Sequence, residues 1–179
     1  MKSVSKIYVI AVVLLIAVSV AQPSSLITPK QSYAGAAIGL WYGLGISANY
    51  ERILQELPEL QGFLGVGGEI GVATQKDTWY GDTGWRYTYI PIFVFASYHY
   101  KMEGKLDPYV RFGLGFVYVN SSWYGEDWGW YGSKPSASQS YIGVNGQIGA
   151  RYELSPTMQV RAAIGTPWIL SLGLDLKLD

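Results

Sequence analysis

An all-β fold, an eight-stranded antiparallel up-and-down barrel, is predicted by three features of this sequence. Apolar residues recur at every second position in eight separate stretches, the period of a strand with one apolar face. The intervening positions are mostly glycine, serine, amide or charged residues. Connections rich in Gly, Pro and Asp separate the stretches, and these residues interrupt helices and ladders alike.

The first residues stand outside this pattern. Lys2 and Lys6, the apolar run Ile7–Val18 and the small residues ending at Ala21 give residues 1–21 the form of a signal peptide. The run is too short for a spanning helix. Residues 22–32 have no periodicity and are expected to be a mobile leader. Residues 33–179 are expected to form the barrel domain.

Strand one, Tyr33–Trp41, sets Ala36, Ile38 and Leu40 against Gly35, Ala37 and Gly39. After a Tyr42-Gly43 turn, strand two, Leu44–Glu51, sets Leu44, Ile46, Ala48 and Tyr50 against Gly45, Ser47, Asn49 and Glu51. Arg52–Gln61 contains Pro58 and reads as a turn or a single helical turn. Strand three, Gly62–Thr74, opposes Leu64, Val66, Ile70 and Val72 to Gly65, Gly67, Glu69, Gly71 and Ala73. Gln75–Trp85 is expected to be a loop. Strand four, Tyr87–Tyr100, contains Pro91, which costs a ladder hydrogen bond and predicts a bulge or a local distortion.

The turn 101–108 leads to strand five, where Val110, Phe112, Leu114, Phe116 and Tyr118 alternate with Arg111, Gly113 and Gly115. Asn120–Ser138 is the longest expected loop. Strand six, Ser140–Leu154, opposes Ile142, Val144, Ile148 and Tyr152 to Asn145, Gln147, Arg151 and Glu153. Strands seven and eight, Thr157–Gly165 and Ile169–Asp179, place Gln159 and Arg161, then Ser171, Asp175 and Lys177, opposite Met, Val, Ile and Leu.

Composition narrows the function. Removing residues 1–21 leaves 158 of the 179 residues, one domain's worth. The chain has 13 basic and 13 acidic residues, and two lysines leave with the signal peptide, so the mature charge is −2. That gives no electrostatic case for nucleic acid. With no cysteine, disulfides, thiol catalysis and zinc-thiolate sites are excluded. Export without disulfides, with 22 Gly, 7 Trp and 15 Tyr, suits a membrane β-barrel.

A soluble lipocalin-like barrel would bury the apolar face, and a transmembrane barrel would turn it to lipid. The glycines decide. The interior of an eight-stranded barrel is only wide enough for side chains to fill it, and here glycines share a face with the charges. The expected lumen set is Glu51, Glu69, His99, Arg111, Arg151, Glu153, Arg161, Asp175 and Lys177, four anions and four firm cations with one histidine. Such a set is expected to pair and plug the barrel, the alternative being a small-conductance pore.

Placement of tryptophan is a second guide. With a periplasmic N-terminus, all seven Trp fall in or beside the 1–2, 3–4, 5–6 and 7–8 connections, the extracellular set, where loops are longer. Tyr50, Tyr98, Tyr100 and Tyr152 lie toward the other end and suit a second aromatic girdle. The aromatic loop residues Trp79, Trp85, Trp123, Tyr124, Trp128, Trp130 and Tyr131 have two readings. They anchor the barrel at the interface, or they meet a surface glycan, a protein or lipid headgroups.

His99 is the one histidine. Ser97 with Glu69 or Glu153 would be its partners in a hydrolase-like set, the alternative being a structural, hydrogen-bonded histidine. No cofactor is expected. One histidine cannot make a multi-histidine metal site, and Asp77, Asp82, Glu126 and Asp127 lack calcium-loop spacing.

The hairpin Tyr89–Val119 (YIPIFVFASYHY, then DPYVRFGLGFVYV) resembles the matching hairpin of small bacterial outer-membrane β-barrel domain proteins of the OmpA/OmpX-like type. GVGGEIGV at 65–72 and GQIGARYELSPTMQVRAAIG at 146–165 are similar to the strands flanking it in such proteins. These motifs are generic to the class, so the resemblance implies an eight-stranded transmembrane barrel in the bacterial outer membrane and no particular activity. One departure is the ending, Leu178-Asp179, where many such proteins have an aromatic residue. The expected protein is a monomeric, non-catalytic barrel with outer-membrane lipid around it and a structural or surface-interaction role. A lipid-modifying barrel enzyme is the remaining alternative.

Overall fold

The computed structural model describes residues 27–41, 43–80, 83–125 and 134–178, so the expected signal peptide lies outside them. Eight antiparallel strands close into one barrel in chain order. They are β1 (Ser32–Leu40), β2 (Leu44–Leu57), β3 (Gly62–Tyr80), β4 (Thr83–Tyr100), β5 (Leu106–Tyr124), β6 (Ser136–Ser155), β7 (Met158–Thr166) and β8 (Leu170–Leu178). β8 closes the ring on β1 from Leu40↔Leu170 to Ser32↔Leu178. Closure removes every strand edge over the shared span, which is what a bilayer requires of a sheet.

Orientation follows the alternation. Val94 is 70% exposed, Phe112 65% and Ile142 73%, whereas Glu51, His99, Arg151 and Asp175 are completely buried. The β8 leucines at 170, 172, 174, 176 and 178 all face outward. Apolar residues therefore coat the barrel and charges fill it, the inverse of a water-soluble barrel. No helix among the described residues is long and apolar enough to cross a membrane.

Of two expected loops, the first is largely strand and the second is strand at both ends. Gln75–Trp85 continues β3 to Tyr80 and opens β4 at Thr83, and Asn120–Ser138 contributes the end of β5 and the start of β6. The reason is physical: beyond the lipid both faces meet water, so the hydrophobic alternation ends while backbone pairing continues. β1, β7 and β8 have 9 residues each and β3–β6 have 18 to 20. The rim is thus lopsided, with β3–β6 rising above the rest at the wide-loop end. Pro91 lies inward and keeps its register with Val117. On its other side the β3–β4 pairing skips from Ile70↔Ile92 to Ala73↔Tyr89 without a shift, so the distortion is a ladder gap and not a bulge.

At the opposite, tight-turn end the chain's own leader packs against the barrel. Pro58–Leu60 forms a single 3₁₀ turn between β2 and β3. Ile27 packs with Tyr33, Ile53 and Phe63, and backbone bonds run from Lys30 N to Ile53 O (2.9 Å) and from Ile53 N to Gln31 O (2.8 Å). The end of the segment expected to be mobile, residues 27–31, is therefore fastened into the barrel mouth.

Candidate functional site in the barrel lumen

Inward positions of seven strands, β2 to β8, meet at Glu51 and its neighbours. The Glu51 carboxylate of β2 accepts from His99 Nε2 (3.0 Å) and Arg111 Nη2 (3.4 Å), and also from Ser97 Oγ and Arg151 Nη2. Asp175 of β8 accepts from Arg151 Nε (2.8 Å) and Arg161 Nε (3.0 Å). Glu69 of β3 accepts from Arg111 Nη1 (3.3 Å), Asn145 Nδ2 (3.4 Å) and the Trp168 indole N–H. Arg161 also donates to Asn49 Oδ1 at 2.6 Å.

Asp107 completes the set. It lies 2.9 Å from His99 Nδ1 and 3.7 Å from Arg151 Nη1. The sequence pattern places Asp107 in a turn, but β5 begins at Leu106 and turns this carboxylate inward, opposite Arg151. His99 is held between two carboxylates, its Nδ1 against Asp107 and its Nε2 against Glu51 and Ser97 Oγ. Three guanidinium groups (Arg111, Arg151, Arg161) and this histidine thus share the core with four carboxylates.

The aromatic lining works with the charges. The Arg111 guanidinium stacks 3.7 Å above the Phe95 ring, and Arg151 lies 4.8 Å from that of Tyr33, desolvated settings in which cation–π attraction is strongest. Glycine supplies the room. A Cβ at Gly39 would sit 2.7 to 3.1 Å from Trp168 ring carbons, so the indole occupies the volume a β1 side chain would take.

Of the nine expected lumen residues, Glu51, Glu69, His99, Arg111, Arg151, Arg161 and Asp175 come together. Glu153 and Lys177 do not: they remain half-exposed at the turn end, outside every ion pair among the described residues. They occupy the last rungs, where water reaches them, and a register shift follows Glu153. The partners expected for His99 are also corrected, Glu51 and Asp107 taking the place of Glu69 or Glu153.

At the wide-loop end, Trp85 and Trp123 meet edge-on at 5.6 Å and Tyr87 stacks on Tyr89 at 6.4 Å. These are odd positions of β4 and β5, so the rings face the axis and not the lipid. A cleft of about 380 Å³ lies beside them, bounded by Tyr87, Tyr89, Ser121, Gln139 and Tyr141. Trp168, placed by the sequence beside the strand 7–8 connection, is 1% exposed and lies in the lumen against Glu69. Tyr124 is the last residue of β5. Trp79 belongs to β3, and Trp128, Trp130 and Tyr131 lie outside the described residues.

The profile of a family described as the outer membrane protein beta-barrel domain matches residues 10–178. The chain belongs to this family. It is an integral β-barrel protein of the bacterial outer membrane. Among solved structures, it is similar to a major outer membrane protein of Thermus thermophilus, at 15% identity over 83% of this chain and 99% of that one (TM-score 0.57). It is also similar to the N-terminal β-barrel domain of Pseudomonas aeruginosa OprF, at 15% identity over 84% and 98% (TM-score 0.51). Both likenesses concern the fold. No curated protein sequence matches the chain. No group of three or more potential metal ligands occurs among the described residues of this outer-membrane barrel.

Sequence reasoning missed Asp107 and Trp168 as lumen residues of this barrel. Asp107 carried a usable signal, since it keeps odd parity with Tyr109 and Arg111. Trp168 carried none, because its inward course depends on the short β7–β8 connection and not on strand alternation.

Proposed function

We propose that this outer-membrane barrel is non-conducting and non-catalytic, with a structurally plugged lumen and a surface-interaction role carried by its lopsided aromatic rim. The observation that carries the plug is Glu51, whose one carboxylate holds donors from β4, β5 and β6 across the barrel's width. Conduction would require those pairs to separate, leaving charges buried without partners at a cost of several kcal/mol each. The test is single-channel recording in planar bilayers. The wild type is expected to show no steady conductance, and Arg111→Ala or Arg151→Ala to add brief openings. Steady ohmic conductance of the wild type would establish the pore reading instead.

Ser97, His99 and Asp107 lie in the order of a nucleophile, base and orienting acid, but chemistry is disfavoured there. Ser97 is 2% exposed and spends its proton on Glu51, so no substrate carbonyl can approach.

The surface role rests on the rim, where aromatic faces and the polar groups of Ser121 and Gln139 share one cleft. Stacking faces beside hydroxyls and amides suit a surface glycan or a protein loop. Trp85→Ala with Trp123→Ala is expected to lower binding of the barrel to host or bacterial cell surfaces about tenfold, the loss of one or two well-packed aromatic anchors. Unchanged binding would leave the rim with only a structural role.

A further inference from the structure

On the outward face of the long strands, the register places Lys76 of β3 directly opposite Arg86 of β4. Like charges facing one another across neighbouring strands are destabilising, so this pair calls for a counter-charge. Among the described residues no ion pair supplies it: those outside the lumen reduce to Lys101–Glu56 at the far end of the barrel. Both cations instead converge on one ring. Lys76 Nζ lies 5.5 Å and the Arg86 guanidinium 5.8 Å from the centroid of Tyr124. The Tyr124 hydroxyl is in turn hydrogen-bonded to Thr78 Oγ1 at 2.7 Å. An aromatic floor, two positive walls and two hydroxyls form one cluster on the outside of the wall.

Its height identifies the occupant. Thr74↔Thr88 is the first polar outward pair above the apolar belt, and Lys76↔Arg86 is the next. Two residues further along a tilted strand is a rise of about 5 Å. The headgroup layer of a leaflet is about 5–7 Å deep, so the cations stand level with lipid phosphates. Below them Tyr118 and Phe116, 41% and 64% exposed, offer a surface for acyl chains.

We propose that Lys76, Arg86, Thr78 and Tyr124 bind the phosphate-bearing headgroup of a lipid in the outer leaflet. Arginine grips the phosphate through paired N–H groups, lysine adds a point charge, and the bound anion relieves the cross-strand repulsion. The proposal rests on the reading that the wide-loop end faces outward from the cell.

The test uses the full mature barrel in neutral detergent, titrated with diphosphoryl lipid A and followed by native mass spectrometry. Lys76→Gln with Arg86→Gln is expected to weaken lipid retention about tenfold or more, the scale for losing charge-assisted hydrogen bonds. Millimolar inorganic phosphate is expected to leave wild-type retention intact. Equal retention by variant and wild type would overturn the site, and displacement by inorganic phosphate would overturn a lipid as its occupant. Because the chain has no cysteine, Ser136→Cys tests orientation separately with a membrane-impermeant maleimide on intact cells. Labelling supports the orientation, and protection until lysis would overturn it and the outer-leaflet assignment together. Heat-dependent gel migration of each variant verifies that it has folded.

Discussion

Glu51→Ala is expected to lower the stability of the barrel by about 3–5 kcal/mol, the range for removing one member of a buried ion cluster. The residue is completely buried and is the one carboxylate shared by Arg111, Arg151, His99 and Ser97. Its loss strands positive charge in a space where no water layer can replace it. Arg151 would keep Asp175 and Arg111 would keep Glu69, but three guanidinium groups and His99 would share three carboxylates. Glu51→Gln keeps the shape and one acceptor, so its loss should be smaller. A control separates burial from pairing itself. Glu56 also meets a cation, Lys101 at 2.6 Å, but the two are 38% and 46% exposed. Glu56→Ala should cost no more than about 1 kcal/mol. Denaturant unfolding in lipid vesicles, followed by circular dichroism, reads all three. Equal midpoints for Glu51→Ala and Glu56→Ala would mean that the lumen is solvated and the plug is not a structural element.

How much of this could be read from the chain depends on which physical force each residue answers to. The outward belt answers to lipid, so Val110 to Tyr118 and Leu170 to Leu178 declare their face at every second position. The lumen charges hold the alternate positions between them and were legible with them. Partner choice was not, because it depends on how registers of non-neighbouring strands stagger around the ring. Arg151 reaches Glu51 across 100 positions of sequence, and no local pattern encodes that meeting. Strand ends were obscured for the opposite reason. Lys76 and Thr78 lie in a paired strand beyond the apolar belt, where polarity no longer alternates and the residues look like a loop.

Trp168→Ala is the second large effect, and it tests whether the glycine face and the indole were built for each other. The ring is 1% exposed, sits 6.0 Å edge-on to Trp41 and gives its N–H to Glu69. Removing it should cost about 3–5 kcal/mol, the usual range for deleting a buried aromatic. The upper half is expected because the slot walls include Gly39, Gly45 and Gly71, which have no side chains to collapse into the void. The sharper reading comes from a double-mutant cycle with Gly39→Ala. The three atoms nearest a Cβ there all belong to Trp168, so Gly39→Ala alone should destabilise the barrel by forcing the ring aside. In the Trp168→Ala background the same methyl meets open space and removes a flexible glycine from a strand, so it should be neutral or stabilising. The coupling between the two sites is expected at about 1–3 kcal/mol. Additive effects would mean that the indole does not occupy the space above Gly39, and the loop end of the lumen would then be open rather than sealed.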